Sequence, residues 1–182
     1  MLARLSRAAP ERAVRWVRPE AIHLTLKFLG DVPSAQTAQL SGMLDEAAGG
    51  HAPFECGVGG LGCFPDLRQP RVVWAGVSEP DGALTRLQHA VEAGAARLGY
   101  TREPAEREFN PHLTLGRVAR GVRGAEARRV GEAVQSVAAG ELDRLPVAAV
   151  CLMRSDRRPG GSVYTRLHEA RLGGSSPGDE TR

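Results

Sequence analysis

Four residues in two short runs carry the side chains best suited to chemistry: His23-Leu24-Thr25-Leu26 recurs as His112-Leu113-Thr114-Leu115. A lone His-x-Thr says little. The four-residue repeat is expected by chance only on the order of once in 500 chains of this composition. Alternation with period 2 puts His and Thr of each copy on one strand face and the two leucines on the other, so the leucines bury and the polar pair projects. A histidine in an ordinary setting titrates near neutrality, so two of them can supply one general base and one general acid. In-line displacement at phosphorus needs such a pair on opposite sides, with hydroxyls donating to the non-bridging oxygens as charge develops. The imidazoles should then stand roughly 6–8 Å apart across the phosphate, and this chemistry needs no metal. Zinc is the rival use, but two histidines are only two ligands and no adjoining Cys, Asp or Glu completes a set.

These half-sites need elements to hold them. Residues 22–29 alternate as a strand, with Ile22, Leu24, Leu26 and Phe28 facing one way and His23, Thr25 and Lys27 the other. Pro111 precedes the second copy, and a strand is expected over 112–118. Around them the pattern predicts a helix capped by Ser34 and running to Ala48, with Leu40, Met43, Leu44 and Ala47 as its apolar stripe. One strand or a bent pair is expected over 53–64, strands over 71–77, 147–154 and 162–171, and helices over 81–98 and 124–138. Residues 1–13 read as weakly helical, and Trp16-Val17 leads into a turn or strand edge at Arg18-Pro19. Turns compatible with antiparallel pairing, together with a few amphipathic helices, give the α+β class. Residues 1–172 read as a single domain, and the polar tail 173–182 is expected to be disordered.

Composition sets outer limits. The chain has 182 residues, 42% of them hydrophobic and 25% charged, which excludes wholesale disorder. No uncharged apolar stretch approaches the ~18 residues of a membrane span. Arg4, Arg7, Glu11 and Arg12 interrupt any signal-peptide core, so a cytoplasmic protein with no membrane partner is expected. Net charge is only +3, with Lys27 the single lysine among 24 basic residues; this permits an anionic partner without establishing one. Cys56, Cys63 and Cys151 fit no zinc spacing and read as small buried hydrophobes.

With both motifs placed, the sequence resembles the two-histidine (2H) phosphoesterase superfamily, specifically the RNA 2′,3′-cyclic phosphodiesterase family, historically called 2′-5′ RNA ligases. The likeness spans about residues 14–172. It rests on Arg15-Trp16-Val17-Arg18-Pro19-Glu20 running into the first motif and Lys27-Phe28-Leu29-Gly30 after it, on Gly60 to Pro65 with Pro70 to Val77, on Phe109 to Arg117, and on Arg154-Ser155 with Gly160 to Tyr164. The resemblance implies a bilobal, pseudo-two-fold α+β fold whose antiparallel sheets line a central groove, with helices outside. It implies metal-independent hydrolysis, without a cofactor, of a terminal 2′,3′-cyclic phosphate on RNA to a 2′-phosphomonoester. Carried over by motif, His23 is the general acid and His112 the general base, with Thr25 and Thr114 gripping phosphate. Arg117 fits an extra phosphate contact, and Phe28, Phe64 and Phe109 fit base stacking. Core packing would account equally well for the three phenylalanines, and a strand end for Arg117. Family members usually open with a strand of the Phe-Ile-Ala-Leu type, which this chain lacks, so an unpaired sheet edge is expected in that lobe.

Two other readings stand beside the phosphodiesterase. One is the same chemistry on a small cyclic nucleotide, or run in reverse as a 2′-5′ ligase. The other is a silent RNA-binding module, which the intact His and Thr pairs weaken. Arg68, Arg71, Arg117 and Arg154 lining a groove would favour an RNA end over a small nucleotide, bound by a monomer.

Overall fold

The computed structural model describes residues 1–101, 109–137, 140–158 and 161–173. The chain divides into two compact units of mixed α and β structure. Unit 1 comprises residues 1–25, 57–78 and 110–145; unit 2 comprises 26–56, 79–109 and 146–182. Of the expected tail 173–182, only Gly173 lies within the described residues.

Unit 1 is built on a five-stranded sheet of order β1-β4-β3-β2-β5, from β1 (Val14–Trp16), β2 (Phe54–Phe64), β3 (Val72–Ser78), β4 (His112–Val118) and β5 (Glu141–Val147). β4 pairs antiparallel with β1 on one side and β3 on the other, and β3 pairs antiparallel with β2. One face carries Val14, Val58, Cys63, Val73, Ala75, Leu115 and Val118, all buried. That face is packed by Leu5 of α1 (Leu2–Ala8) and by Ala127, Val130, Val134 and Val137 of α4 (Gly124–Val137). Small residues allow the close approach: a Cβ on Gly131 would lie 2.0 Å from the Leu67 carbonyl oxygen.

Two bulges keep the faces consistent. One falls between Gly59 and Leu61, where Gly60 takes a φ of +61° that L side chains rarely adopt. It lets Val58 and Leu61 both turn to the core despite their odd spacing. The other falls in β4 opposite Val73 and Trp74. Leu115 and Gly116 are both buried there, which returns Arg117 to the face of His112 and Thr114.

Unit 2 pairs α2 (Thr37–Gly49) with α3 (Ala83–Arg97) over a two-stranded antiparallel sheet of β6 (Ala149–Arg158) and β7 (Gly161–Arg171). Its core joins Leu40, Met43, Leu44 and Ala48 to Leu87, Val91 and Ala95, with Leu152 and Ala170 from the sheet. The β6–β7 turn at 159–160 lies outside the described residues. Among the described residues no helix is long and apolar enough to cross a membrane.

The expected elements are largely present, and several details differ. The strand expected over 22–29 is not formed; only Leu24 bridges, antiparallel, to Leu113. Beyond Thr25 the chain is claimed by unit 2 instead. The Gln88 amide reaches the Leu26 carbonyl at 3.5 Å, Leu26 and Leu29 pack on the unit 2 core, and the Lys27 ammonium meets Glu92 at 2.6 Å. Lys27, expected outward, is therefore 5% exposed, while Phe28, expected inward, is 71% exposed. One α3 side chain reaches this backbone, and the ion pair and apolar packing hold the segment on unit 2, so the period-2 pattern does not become a ladder. Ser34 starts a 3-10 turn, not a cap, and makes no side-chain capping bond. Cys56 and Cys63 are buried as expected, but Cys151 is exposed.

Two stability predictions follow from these burials. Glu92→Ala strands the Lys27 charge and should lower the urea-measured unfolding free energy by about 3–5 kcal/mol. Burial, with Asp66 adding a smaller share, pushes the Cys63 thiol up from 9.0 to about 11. A thiol held protonated in the folded state stabilises fully below pH 9, and that contribution is lost as the pH climbs towards 11. Melting temperature should therefore fall across that window, and less steeply in Cys63→Ala.

Candidate active site

The His-Leu-Thr runs of both copies lie in unit 1, next to each other, while Leu26 of the first copy already belongs to unit 2. The Leu24–Leu113 bridge is antiparallel, so His23 lies across from Thr114 and Thr25 across from His112. Imidazole and hydroxyl thus alternate around one patch of sheet surface, with the two histidines on a diagonal. Ideal strand spacing sets the histidine Cα atoms about 8 Å apart. The other three histidines, His51, His89 and His168, belong to unit 2.

The first motif reaches this place by a detour. β1 runs beside β4 as far as Val17, whose N–H donates to the Leu115 carbonyl at 2.8 Å. A 3-10 turn, Pro19–Ala21, then takes up slack before Leu24 rejoins β4. The last carbonyls of such a turn have no partner within it. The Ala21 carbonyl accepts from His23 Nδ1–H at 2.8 Å. In the second motif the Asn110 carbonyl, ahead of Pro111, accepts from His112 Nδ1–H at 2.7 Å. A carbonyl can only accept, so each Nδ1 carries a proton and Nε2 is the acceptor of the neutral ring. Both imidazoles are oriented in the same way, by the backbone two residues upstream.

Cross-strand register describes the surroundings. Gly76 lies beside His112 and Gly59 beside Gly76, so the sheet next to His112 has a floor without side chains. Trp74 lies beside Thr114 and Gly62 beside Trp74; a Cβ on Gly62 would lie 2.3 Å from the indole, which therefore lies over the glycine. The Trp74 Nε1 is buried without a hydrogen-bond partner among the described residues, and the indole serves as an apolar platform. On it rests Phe64, with ring centroids 5.3 Å apart; Phe64 also meets the His112 ring edge-to-face at 5.0 Å and 83°. Arg68 N–H and Gln69 N–H donate to the Asp66 carboxylate, pinning the loop after Phe64 and holding Asp66 below the usual carboxylate range.

His23, Thr25, His112, Thr114, Arg117 and Phe64 are thus gathered in unit 1. The Phe64 ring is half-buried and engaged with His112 and Trp74, which fits holding the imidazole better than stacking a base. Phe28 and Phe109 belong to unit 2, Phe28 open to solvent and Phe109 half-buried. Of the four arginines expected to line a groove, Arg68, Arg71 and Arg117 are exposed in unit 1, whereas Arg154 belongs to unit 2 and pairs with Asp156 at 3.1 Å. The roles of Trp74 and of glycines 59, 62 and 76 were not read from the sequence. The Gly-rich composition of β2 is a signal for Gly59 and Gly62 alone. The two orienting carbonyls leave no signal at all, because every residue has one.

A family model for the 2′-5′ RNA ligase superfamily matches residues 3–159, and the chain belongs to that superfamily. Among its relatives, the RNA 2′,3′-cyclic phosphodiesterase of Methanothermobacter thermautotrophicus is 37% identical over 161 residues, 87% of this chain and 83% of the relative. The RNA 2′,3′-cyclic phosphodiesterase of Aquifex aeolicus is 33% identical over 88% of this chain and 82% of its own length. A crystal structure from Thermus thermophilus superposes with a TM-score of 0.72 at 28% identity, covering 96% of this chain and 91% of that one. Escherichia coli LigT complexed with 3′-AMP superposes with a TM-score of 0.67 at 27% identity, covering 92% and 86%.

The Trp74 platform yields a direct test. Gly62→Ala forces the indole off its seat and should cost about 1–3 kcal/mol of unfolding free energy in urea.

Proposed function

We propose that this protein hydrolyses the 2′,3′-cyclic phosphate at an RNA end to a 2′-phosphomonoester, using its two histidines without metal. The observation that carries the reading is the antiparallel pairing of the two His-Leu-Thr runs with both imidazoles oriented by a backbone carbonyl. Two relatives that cover most of the chain bear the name of this activity.

In this mechanism His112 is neutral and its Nε2 takes a proton from water as the water oxygen attacks phosphorus. His23 is the imidazolium, and its Nε2–H protonates the departing 3′ oxygen as the P–O3′ bond breaks. The phosphate remains on the 2′ oxygen. His112 ends protonated and His23 neutral, and exchange with solvent restores both. The Ala21 and Asn110 carbonyls accept from Nδ1–H in either charge state, so neither ring needs to turn during the cycle. Thr25 and Thr114 donate to the non-bridging oxygens, and Arg117 on the same face adds positive charge. Phe64 keeps the His112 ring from rotating.

The test is an RNA oligonucleotide ending in a 2′,3′-cyclic phosphate, incubated in EDTA. A 2′-phosphate product is expected, with kcat/KM bell-shaped in pH. His23→Ala and His112→Ala should each lower kcat by at least about 100-fold. A 3′-phosphate product, or wild-type protein inert in EDTA, would overturn the reading.

A further inference from the structure

Strand β1 directs one side chain to the face of the candidate site. Val14 is buried and Trp16 packs on the unit 1 core, which leaves Arg15 pointing the other way. Its register partner on β4 is Arg117. The flanking pairs, Val14 with Val118 and Trp16 with Gly116, turn to the core, so Arg15 and Arg117 are neighbours on the opposite face. The β4–β3 register puts His112 and Thr114 on that same face, one bulged step along the strand from Arg117.

Like charges directly across an antiparallel pair are destabilising. Here nothing offsets them: among the described residues no carboxylate forms an ion pair with Arg15 or Arg117. Their backbone is nevertheless tightly held. Val17 N–H donates to Leu115 at 2.8 Å and Ala119 N–H to Ala13 at 2.9 Å, closing β1 onto β4 at both ends. Gly116 lets the strands meet, since a Cβ there would lie 2.6 Å from Val14 Cγ1 and 2.9 Å from the Trp16 ring. Two exposed arginines on a pinned strand pair, with no ion-pair partner among the described residues, are a preformed receptor for anions.

Arg117 adjoins Thr114 and so serves the reacting phosphate. Arg15, one strand further out, is directed at the next negative charge along the substrate. An RNA chain carries that charge in the phosphodiester joining its last two nucleotides, whereas a cyclic mononucleotide has none. We propose that Arg15, beside Arg117, forms a second anion subsite that binds this upstream phosphodiester and gives the enzyme its preference for an RNA end over a cyclic mononucleotide. The inference rests on the phosphodiesterase reading above and adds the residue that selects substrate length.

Three substrates separate the possibilities: adenosine 2′,3′-cyclic phosphate, a diadenosine ending in the cyclic phosphate, and the same dinucleotide with a neutral methylphosphonate linkage. The two dinucleotides share bases and sugars and differ in one charge. For wild type, kcat/KM should favour the charged dinucleotide over the neutral one about tenfold at low salt, and the ratio should shrink as salt rises. Arg15→Gln should bring that ratio close to one, mainly through KM, and Arg15→Lys should keep part of it. Because Arg15 is exposed, Arg15→Lys should melt with wild type, and Arg15→Gln, which removes one of the two facing like charges, should melt no lower. A wild-type ratio near one, or a ratio unchanged in Arg15→Gln, overturns the subsite while leaving the phosphodiesterase reading intact. Wild type inert on all three substrates overturns both.

Discussion

The pairing of Leu24 with Leu113 is the constraint on which the site depends. It joins two identical tetrapeptides head to tail, and the antiparallel sense decides what each imidazole faces. A parallel pairing would set His beside His and Thr beside Thr. The antiparallel one places a hydroxyl across from each imidazole, so imidazole and hydroxyl alternate around one patch of surface. For that geometry to hold, β4 must be firmly placed, and it is: β3 flanks it on one side, while β1 and then Leu24 occupy the other. The leucines themselves are only half-buried, so it is their position between these neighbours that fixes the pair.

Around this pair the charges are sparse and the backbone does much of the orienting. Each histidine of the repeat donates its Nδ1 proton to a main-chain carbonyl made available by a proline-bearing approach, the Pro19–Ala21 turn in one case and the Asn110-Pro111 step in the other. Carbonyl acceptors orient a ring without adding a formal negative charge beside an anionic substrate. Aromatic packing supplies the rest on the His112 side, where Trp74 seats on Gly62 and Phe64 seats on Trp74. Two arginines, Arg15 and Arg117, are then brought side by side at the β1–β4 pair.

Much of this was legible in the sequence, because it depends on short-range pattern. The repeat itself, the strand at 112–118 and the amphipathic helices follow from local periodicity, and the structure places them within a few residues of expectation. The failures share a cause, which is partners far away in the chain. Residues 22–29 alternate like a strand, yet Glu92 and Gln88 draw Lys27 and Leu26 to α3. Phe64 looks like a free aromatic until Trp74 and His112 close on it. Arg15 is one arginine among 23 until the β1–β4 register puts it beside Arg117. Burial of Cys151 was a compositional guess, and the outward face of β6 overrules it.

The segmented make-up of unit 1 has a consequence for the life of the chain on the ribosome. Its three pieces are separated by stretches that belong to unit 2, and β4 emerges only after β1, β2 and β3 have all been made. The first histidine is synthesised early, but it has no strand to lean on until residues near Leu113 leave the exit tunnel. A growing polypeptide therefore carries half of the candidate site, which forms in one late step, when the second His-Leu-Thr run docks against the first.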